Sequence, residues 1–202
     1  CYPTATLLAV RPLLAAGLID DSGIAVHGSS GTTGAGKGLR ADLHFSALFG
    51  NTFPYKVGNH RHTPEIERHL GAPVSFVPQL LPIARGMLIT AFVRPKAEPA
   101  ALLDALRAFY EPHPYVTVLP EPGEGLGVRH VVGTHQALVA VSPQTRGGLL
   151  AVFGAIDNLM RGAASQALAN INLWLELPVE LGLPAPLTSV PAGPPPMTRM
   201  IP

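Results

Sequence analysis

Leu7, Val10, Leu14 and Leu18 recur at helical spacing, which predicts a helix from the first residues to about Gly17. Pro3 suits its first turn, whereas Pro12 is expected to kink or end it early. Ile24 to Gly28 reads as a short strand, and the glycine-rich GSSGTTGAGKG that follows is expected to break regular structure. Residues 39–59 lack strong periodicity. Pro73 to Leu81 and Gly86 to Arg94 predict two strands joined near Pro82–Gly86, and in MLITAFVR apolar residues dominate both faces, which predicts a covered sheet. Ala100 to Tyr110 predicts an amphipathic helix, with Leu102, Leu103, Leu106, Phe109 and Tyr110 on one side and Asp104 and Arg107 opposite. YVTVL, VRHVVG, ALVAVS and LLAVFGAI predict short β-rich runs, and a last helix is expected from Arg161 to Leu177 with Leu168, Ile171, Leu175 and the single Trp174.

That order of elements predicts an α+β fold, a sheet covered on at least one side by helices. A chain of 202 residues without a central linker suits one domain, read as 1–183. Seven of the 22 prolines fall in the final 19 residues, so 184–202 reads as a Pro-rich C-terminal tail.

Composition narrows the class. Hydrophobic residues at 47% against 13% charged exclude a disordered chain and call for a well-filled core or a large buried interface. The formal charge of +1 comes from scattered residues without a basic stripe, which argues against nucleic acid as a partner. Arg11, Arg40, Lys56, Arg85 and Arg94 interrupt every candidate for a membrane span of ~20 apolar residues. A lone cysteine makes no internal disulfide, so a reducing, cytoplasmic setting is expected.

Three clusters could carry chemistry. Cys1 directly precedes the first predicted helix, where the helix dipole and free backbone N–H groups favour a thiolate nucleophile; its bland alternative is a small buried apolar residue. HRHTPEIE places His60, His62 and Glu65 together beside Pro64, so a helix starting there would let Glu65 orient an imidazole as a base. The same stretch could be a polar surface turn, or His60 and His62 could form a metal pair. In the glycine-rich run, Gly31, Gly36 and Lys37 match part of a phosphate-binding loop, but Gly38 stands where the magnesium-binding Ser or Thr belongs. The loop then either holds an anion or is a flexible connection.

In this order the clusters resemble the N-acetyl-γ-glutamyl-phosphate reductases. CYPTATLLAVRP fits the family's cysteine signature from Cys1 to Pro12, SGTTGAG stands for its SGxSGAG loop with Thr33 for serine, and HRHTPEI is intact. PQLLPIARGML carries Gln79 where a histidine is common, and GAASQALANIN resembles the family's GxxGQAxQNxN helix with Ser165 and Ala169 as departures. The resemblance implies a mixed, largely antiparallel sheet covered by helices, like the C-terminal domain of glyceraldehyde-3-phosphate-dehydrogenase-like reductases. It covers about residues 1–183 and lacks the family's N-terminal Rossmann domain, so the chain looks like a catalytic and dimerisation domain. Alone it is expected to be inactive and to bind NADPH poorly.

The resemblance also implies roles. Cys1 would form a thioester from an acyl phosphate, and hydride from NADPH would reduce it to the semialdehyde of arginine biosynthesis. His62 would be the acid/base with Glu65 orienting it, or His60 would exchange roles with His62. Ser30, Gly31, Arg61 and Arg85 would contact the substrate's carboxylate or phosphate, and Gln166 and Asn170 would neighbour the nicotinamide. No metal is implied, and a homodimer or homotetramer is. The alternatives are the related carrier-protein-linked reductase of lysine biosynthesis, a hydrolase using Cys1 with its own α-amino group, and a lipoprotein bearing lipid on Cys1.

Overall fold

The computed structural model describes residues 1–188, so positions 189–202 of the Pro-rich segment lie outside the described residues. Helix α1 spans Tyr2–Ala15 with a proline in its first turn. Strand β1 is Ile24–Ser30, helix α2 is Phe45–Leu48 and strand β2 is Phe53–Pro54. Helix α3 (Thr63–Leu70) leads to strands β3 (Val74–Leu80) and β4 (Met87–Val93), then to helix α4 (Pro99–Tyr110). Strands β5 (Val116–Val118), β6 (Ala137–Val141) and β7 (Leu150–Ile156) follow, and a π-turn at Met160–Ala164 runs into helix α5, Ser165–Trp174.

The strands form one seven-stranded sheet in the order β2-β3-β1-β4-β7-β6-β5. Four neighbouring pairs are antiparallel, and β1–β3 and β5–β6 are parallel, so the sheet is mixed and largely antiparallel. The chain-consecutive β3 and β4 do not pair with each other; β1 runs between them. The fold is α+β, as the order of elements predicts.

Helix α1 lies on the sheet over β4, β6 and β7, flanked by α3 and α4. It buries Tyr2, Ala5, Ala9, Val10 and Leu13, which explains why Arg11 is its one charged residue. Each large apolar side chain buried here contributes on the order of 1.5–3 kcal/mol. Glycines set the close approach: a Cβ at Gly154 would lie 2.7 Å from the Ala5 carbonyl oxygen, and one at Gly28 would lie 2.5 Å from the Tyr2 ring.

Pro12 does not end the helix early. A proline withholds the N–H that would bond the carbonyl four residues back, and here Tyr110 on α4 donates its hydroxyl to that Leu8 oxygen at 2.6 Å. The helix stops three residues later, where Leu18 N–H bonds the Leu13 carbonyl and Gly17 takes a φ of 68°, the left-handed closure that glycine allows.

Four other expectations change. GSSGTTGAGKG is not wholly irregular: its first three residues end β1, and Thr32–Ala35 forms a 3-10 turn. VRHVVG is no strand; Val128–His130 is a 3-10 turn, and Val131 packs with Leu119 and Leu126 onto Leu138, Ala140 and Ala155. MLITAFVR is not equally covered on both faces. Met87, Ile89, Ala91 and Val93 are buried under the helices, whereas the alternate positions are part-exposed, up to 40% at Phe92. The last helix is also shorter than Arg161 to Leu177.

Candidate active site

Two helices begin at the same corner. Cys1 is the N-cap of α1 and His62 the N-cap of α3, and the two helices pack along each other. Pro64 opens α3 in its first turn, and Gly71 closes it in the left-handed conformation at φ 74°, while Ile66 and Leu70 anchor it to the core. Cys1 is half-buried and free, placed where unpaired N–H groups and the helix dipole favour an anion.

Tyr2 wedges the corner together. Its ring meets His60 edge-on at 5.6 Å, His62 at 6.2 Å and Phe76 at 5.1 Å. Its hydroxyl donates to the Gln79 carbonyl and accepts from the Tyr55 hydroxyl. Burial pushes the Tyr2 phenol far up, so it stays neutral and serves as a hydrogen-bonding post.

The two histidines differ. His60 is 6% exposed, and its Nδ1 accepts the His62 backbone N–H at 3.2 Å; the ring is enclosed by Tyr2, Tyr55 and Phe76. His62 is half-buried, and its Nδ1 has no partner among the described residues. Burial first, with His60 and Arg61 adding to it, pushes the His62 imidazole down to about 4. A neutral ring with an unengaged nitrogen is equipped to accept a proton.

Glu65 does not orient either ring: it is exposed and bonds to neither imidazole among the described residues. Arg61 is exposed, makes no ion pair among the described residues and depresses both histidines. Ser30 is buried and donates to the Gly31 carbonyl at 3.0 Å. Gly31 presses on the 84–85 backbone, where a Cβ would lie 2.7 Å from the Ala84 oxygen. Arg85 has an internal partner, Asp157, at 2.8 Å. Gln166 and Asn170 share a face of α5 and bond each other at 3.1 Å.

The opposite wall rests on two residues that sequence reasoning missed, Asp157 and Asn158. Asp157 is fully buried and accepts from Gly133 N–H at 2.7 Å, Leu159 N–H at 2.7 Å and Met160 N–H at 3.1 Å, besides Arg85. Four donors on one carboxylate offset the cost of burying its charge. Asn158 accepts from Gly86 N–H at 2.8 Å and donates to the Thr33 hydroxyl at 3.0 Å. The pair thereby ties the end of β7 to the glycine-rich loop, the β3–β4 connection and the π-turn. That turn delivers Gly162 onto the cysteine: a Cβ there would lie 2.6 Å from Cys1 Cβ. The one signal in the sequence is a polar pair ending the apolar run LLAVFGAI.

Among the described residues no group of three His, Cys, Asp or Glu side chains is placed to hold a metal ion, and no helix is long and apolar enough to cross a membrane.

Comparison with known proteins finds relatives of the chain in sequence and in fold. Residues 1–158 match the family described as semialdehyde dehydrogenase, dimerisation domain. N-acetyl-gamma-glutamyl-phosphate reductase of Desulforudis audaxviator is 43% identical over 194 residues, covering 92% of this chain and 56% of the relative. The same-named protein of Pelotomaculum thermopropionicum is 40% identical over 195 residues, with the same coverage. The chain thus spans about half the length of the relatives it matches. In fold it is similar to the crystal structure of aspartate semialdehyde dehydrogenase II from Vibrio cholerae, with a TM-score of 0.66 and 17% identity over 87% of this chain and 61% of that one.

Proposed function

Because the chain belongs to the semialdehyde dehydrogenase dimerisation-domain family, we propose that it is the catalytic and dimerisation part of an NADPH-dependent N-acetyl-γ-glutamyl-phosphate reductase of arginine biosynthesis. The observation that carries this reading is the corner where Cys1 caps α1 and a neutral, unengaged His62 caps α3. The relatives at 43% and 40% identity supply the substrate class.

His62 takes the Cys1 proton, and the thiolate attacks the acyl carbon of the phosphate anhydride. The C–O bond to phosphate breaks, inorganic phosphate leaves, and a thioester on Cys1 remains. NADPH, when bound, supplies the hydride that reduces this carbonyl. The protonated His62 then returns its proton as the C–S bond opens, releasing the semialdehyde and restoring the thiol. His60 is a positioning residue, since its Nδ1 is already spent on the His62 backbone.

Arg61 is the better cation for the substrate's carboxylate or phosphate, because Arg85 is tied to Asp157. Ser30 and Gly31 shape the floor beside it. Gln166 and Asn170, as primary amides on α5, fit the carboxamide of a nicotinamide. The remaining dinucleotide contacts fall to a separate N-terminal Rossmann domain, so this chain alone binds NADPH weakly and does not turn over. A second copy would cover the part-exposed face of β4 and β7 around Phe92, giving a homodimer or a homotetramer built from it.

The test joins this chain to the dinucleotide-binding part of a relative and follows NADPH oxidation with N-acetylglutamyl phosphate. Cys1→Ser should abolish turnover and leave the melting temperature unchanged. Normal turnover without the thiol would sink the thioester reading, and turnover only with a carrier-protein-linked substrate would move the enzyme to the lysine branch.

A further inference from the structure

Away from the Cys1 corner, α1, the end of α4, β5 and α5 enclose a cavity of about 780 Å³, a size that admits a small organic ligand. Arg161, rooted in the π-turn, lines it. Its Nη1 donates to the His135 carbonyl at 3.1 Å, and its Nε is buried without a partner. Among the described residues Arg161 makes no ion pair, and burial lowers its pKa. A guanidinium withdrawn from water without a counter-charge is costly.

The cavity supplies no such counter-charge. No acidic side chain lines it, and its other cation, Arg11, stands exposed at the mouth with His113. Glu180 lies close enough to Tyr115 to raise that phenol, yet it is exposed, does not line the cavity and does not pair with Arg161. His135 adds no charge: burial and Arg161 push it down to about 4, and its Nδ1 is bonded to the Ser165 hydroxyl at 2.6 Å. The interior therefore presents one uncompensated positive charge among apolar walls.

We propose that this cavity binds a small monocarboxylate with an apolar body, its carboxylate on Arg161 and its chain along Leu7, Leu8, Leu173 and Val179. One buried charge matches one carboxylate, whereas a phosphate dianion would leave a net buried charge and needs more donors than the cavity offers. The inference does not rest on the reductase reading, since neither Cys1 nor His62 takes part in it, although Gln166, which that reading places beside the nicotinamide, also lines the cavity.

The experiment titrates the 202-residue chain with hexanoate and follows its Leu and Val methyl resonances. Saturable shifts at Leu7, Leu8, Leu173 and Val179 are expected, weakened about ten-fold or more by Arg161→Met, the scale of a lost charge-assisted hydrogen bond. Hexanol or hexylamine binding as tightly would overturn the role of the guanidinium. Inorganic phosphate shifting the same methyls at lower concentration would overturn the carboxylate assignment. Leu173→Trp, a change at a 62%-exposed position that fills the mouth, tests the location without touching the core: lost saturation supports it, and unchanged binding overturns it.

Discussion

His62 and His135 are both pushed down to about 4, and for both burial is the main cause. Their surroundings differ. His135 is 3% exposed, bonds the Ser165 hydroxyl through Nδ1 and packs edge-on against Tyr115 at 4.9 Å. His62 leaves Nδ1 without a partner among the described residues, and His60 and Arg61 add to the effect of its burial. Desolvation alone therefore does not mark a catalytic imidazole. What distinguishes His62 is an Nδ1 left unsatisfied among the described residues at the start of α3, where His135 has bonded its own to Ser165.

Exchanging the two rings for asparagine should separate them most sharply. In the joined enzyme His62→Asn should lower kcat by roughly 10²–10⁴ with little change in melting temperature. His135→Asn should cost about 1–3 kcal/mol of stability, since it leaves the Ser165 hydroxyl buried without its partner, and should spare kcat. If His60→Asn alone carried the rate loss, the acid/base role would pass to His60.

Gly162→Ala probes the wall that faces the thiol. The added Cβ would lie 2.6 Å from Cys1 Cβ, so the π-turn or the start of α1 has to shift, at a cost of about 1–3 kcal/mol. The rate should fall more than stability accounts for, because Cys1 is displaced; chemical denaturation and steady-state rates on the same samples check this.

Acid should weaken the fold through both rings. The unfolded imidazole titrates near 6.5 and the folded one at about 4, so between those values the unfolded chain binds protons that the fold does not. The contribution of the neutral rings is complete above pH 6.5 and declines as pH falls toward 4. Urea midpoints at pH 7 and pH 5 should therefore differ by less in His135→Asn than in the parent chain. The smallest effect is expected at Tyr110→Phe, which leaves the Leu8 carbonyl opposite Pro12 without its donor and should cost about 1 kcal/mol in the urea midpoint.

Much of this was legible in the chain. Helix starts followed from Pro3 and Pro64, and the end of α1 from Gly17, because these residues act through local backbone geometry. The apolar runs at 74–80, 87–93, 137–141 and 150–156 became strands. The Cys1 and HRHTPEIE clusters did meet at one corner. VRHVVG misled because its β-branched residues serve a tertiary plug against Leu138 and Ala155 instead of a ladder. Pro12 misled because the partner for the Leu8 carbonyl comes from Tyr110, far along the chain. Glu65 misled because spacing on a helix places a carboxylate near an imidazole without turning it toward the ring.

By itself, then, the sequence determined the local elements and the α+β class, since each depends on neighbours a few residues apart or on the order of the elements. Only the tertiary structure decided which histidine has its Nδ1 bonded, that Arg85 belongs to Asp157, that Gly162 must be bare to let the π-turn reach Cys1, and that Arg161 buries its Nε without a counter-ion among the described residues. Those outcomes rest on packing and desolvation between side chains brought together by the fold, Cys1 with Gly162 and Arg85 with Asp157 among them, for which no local pattern carries a signal.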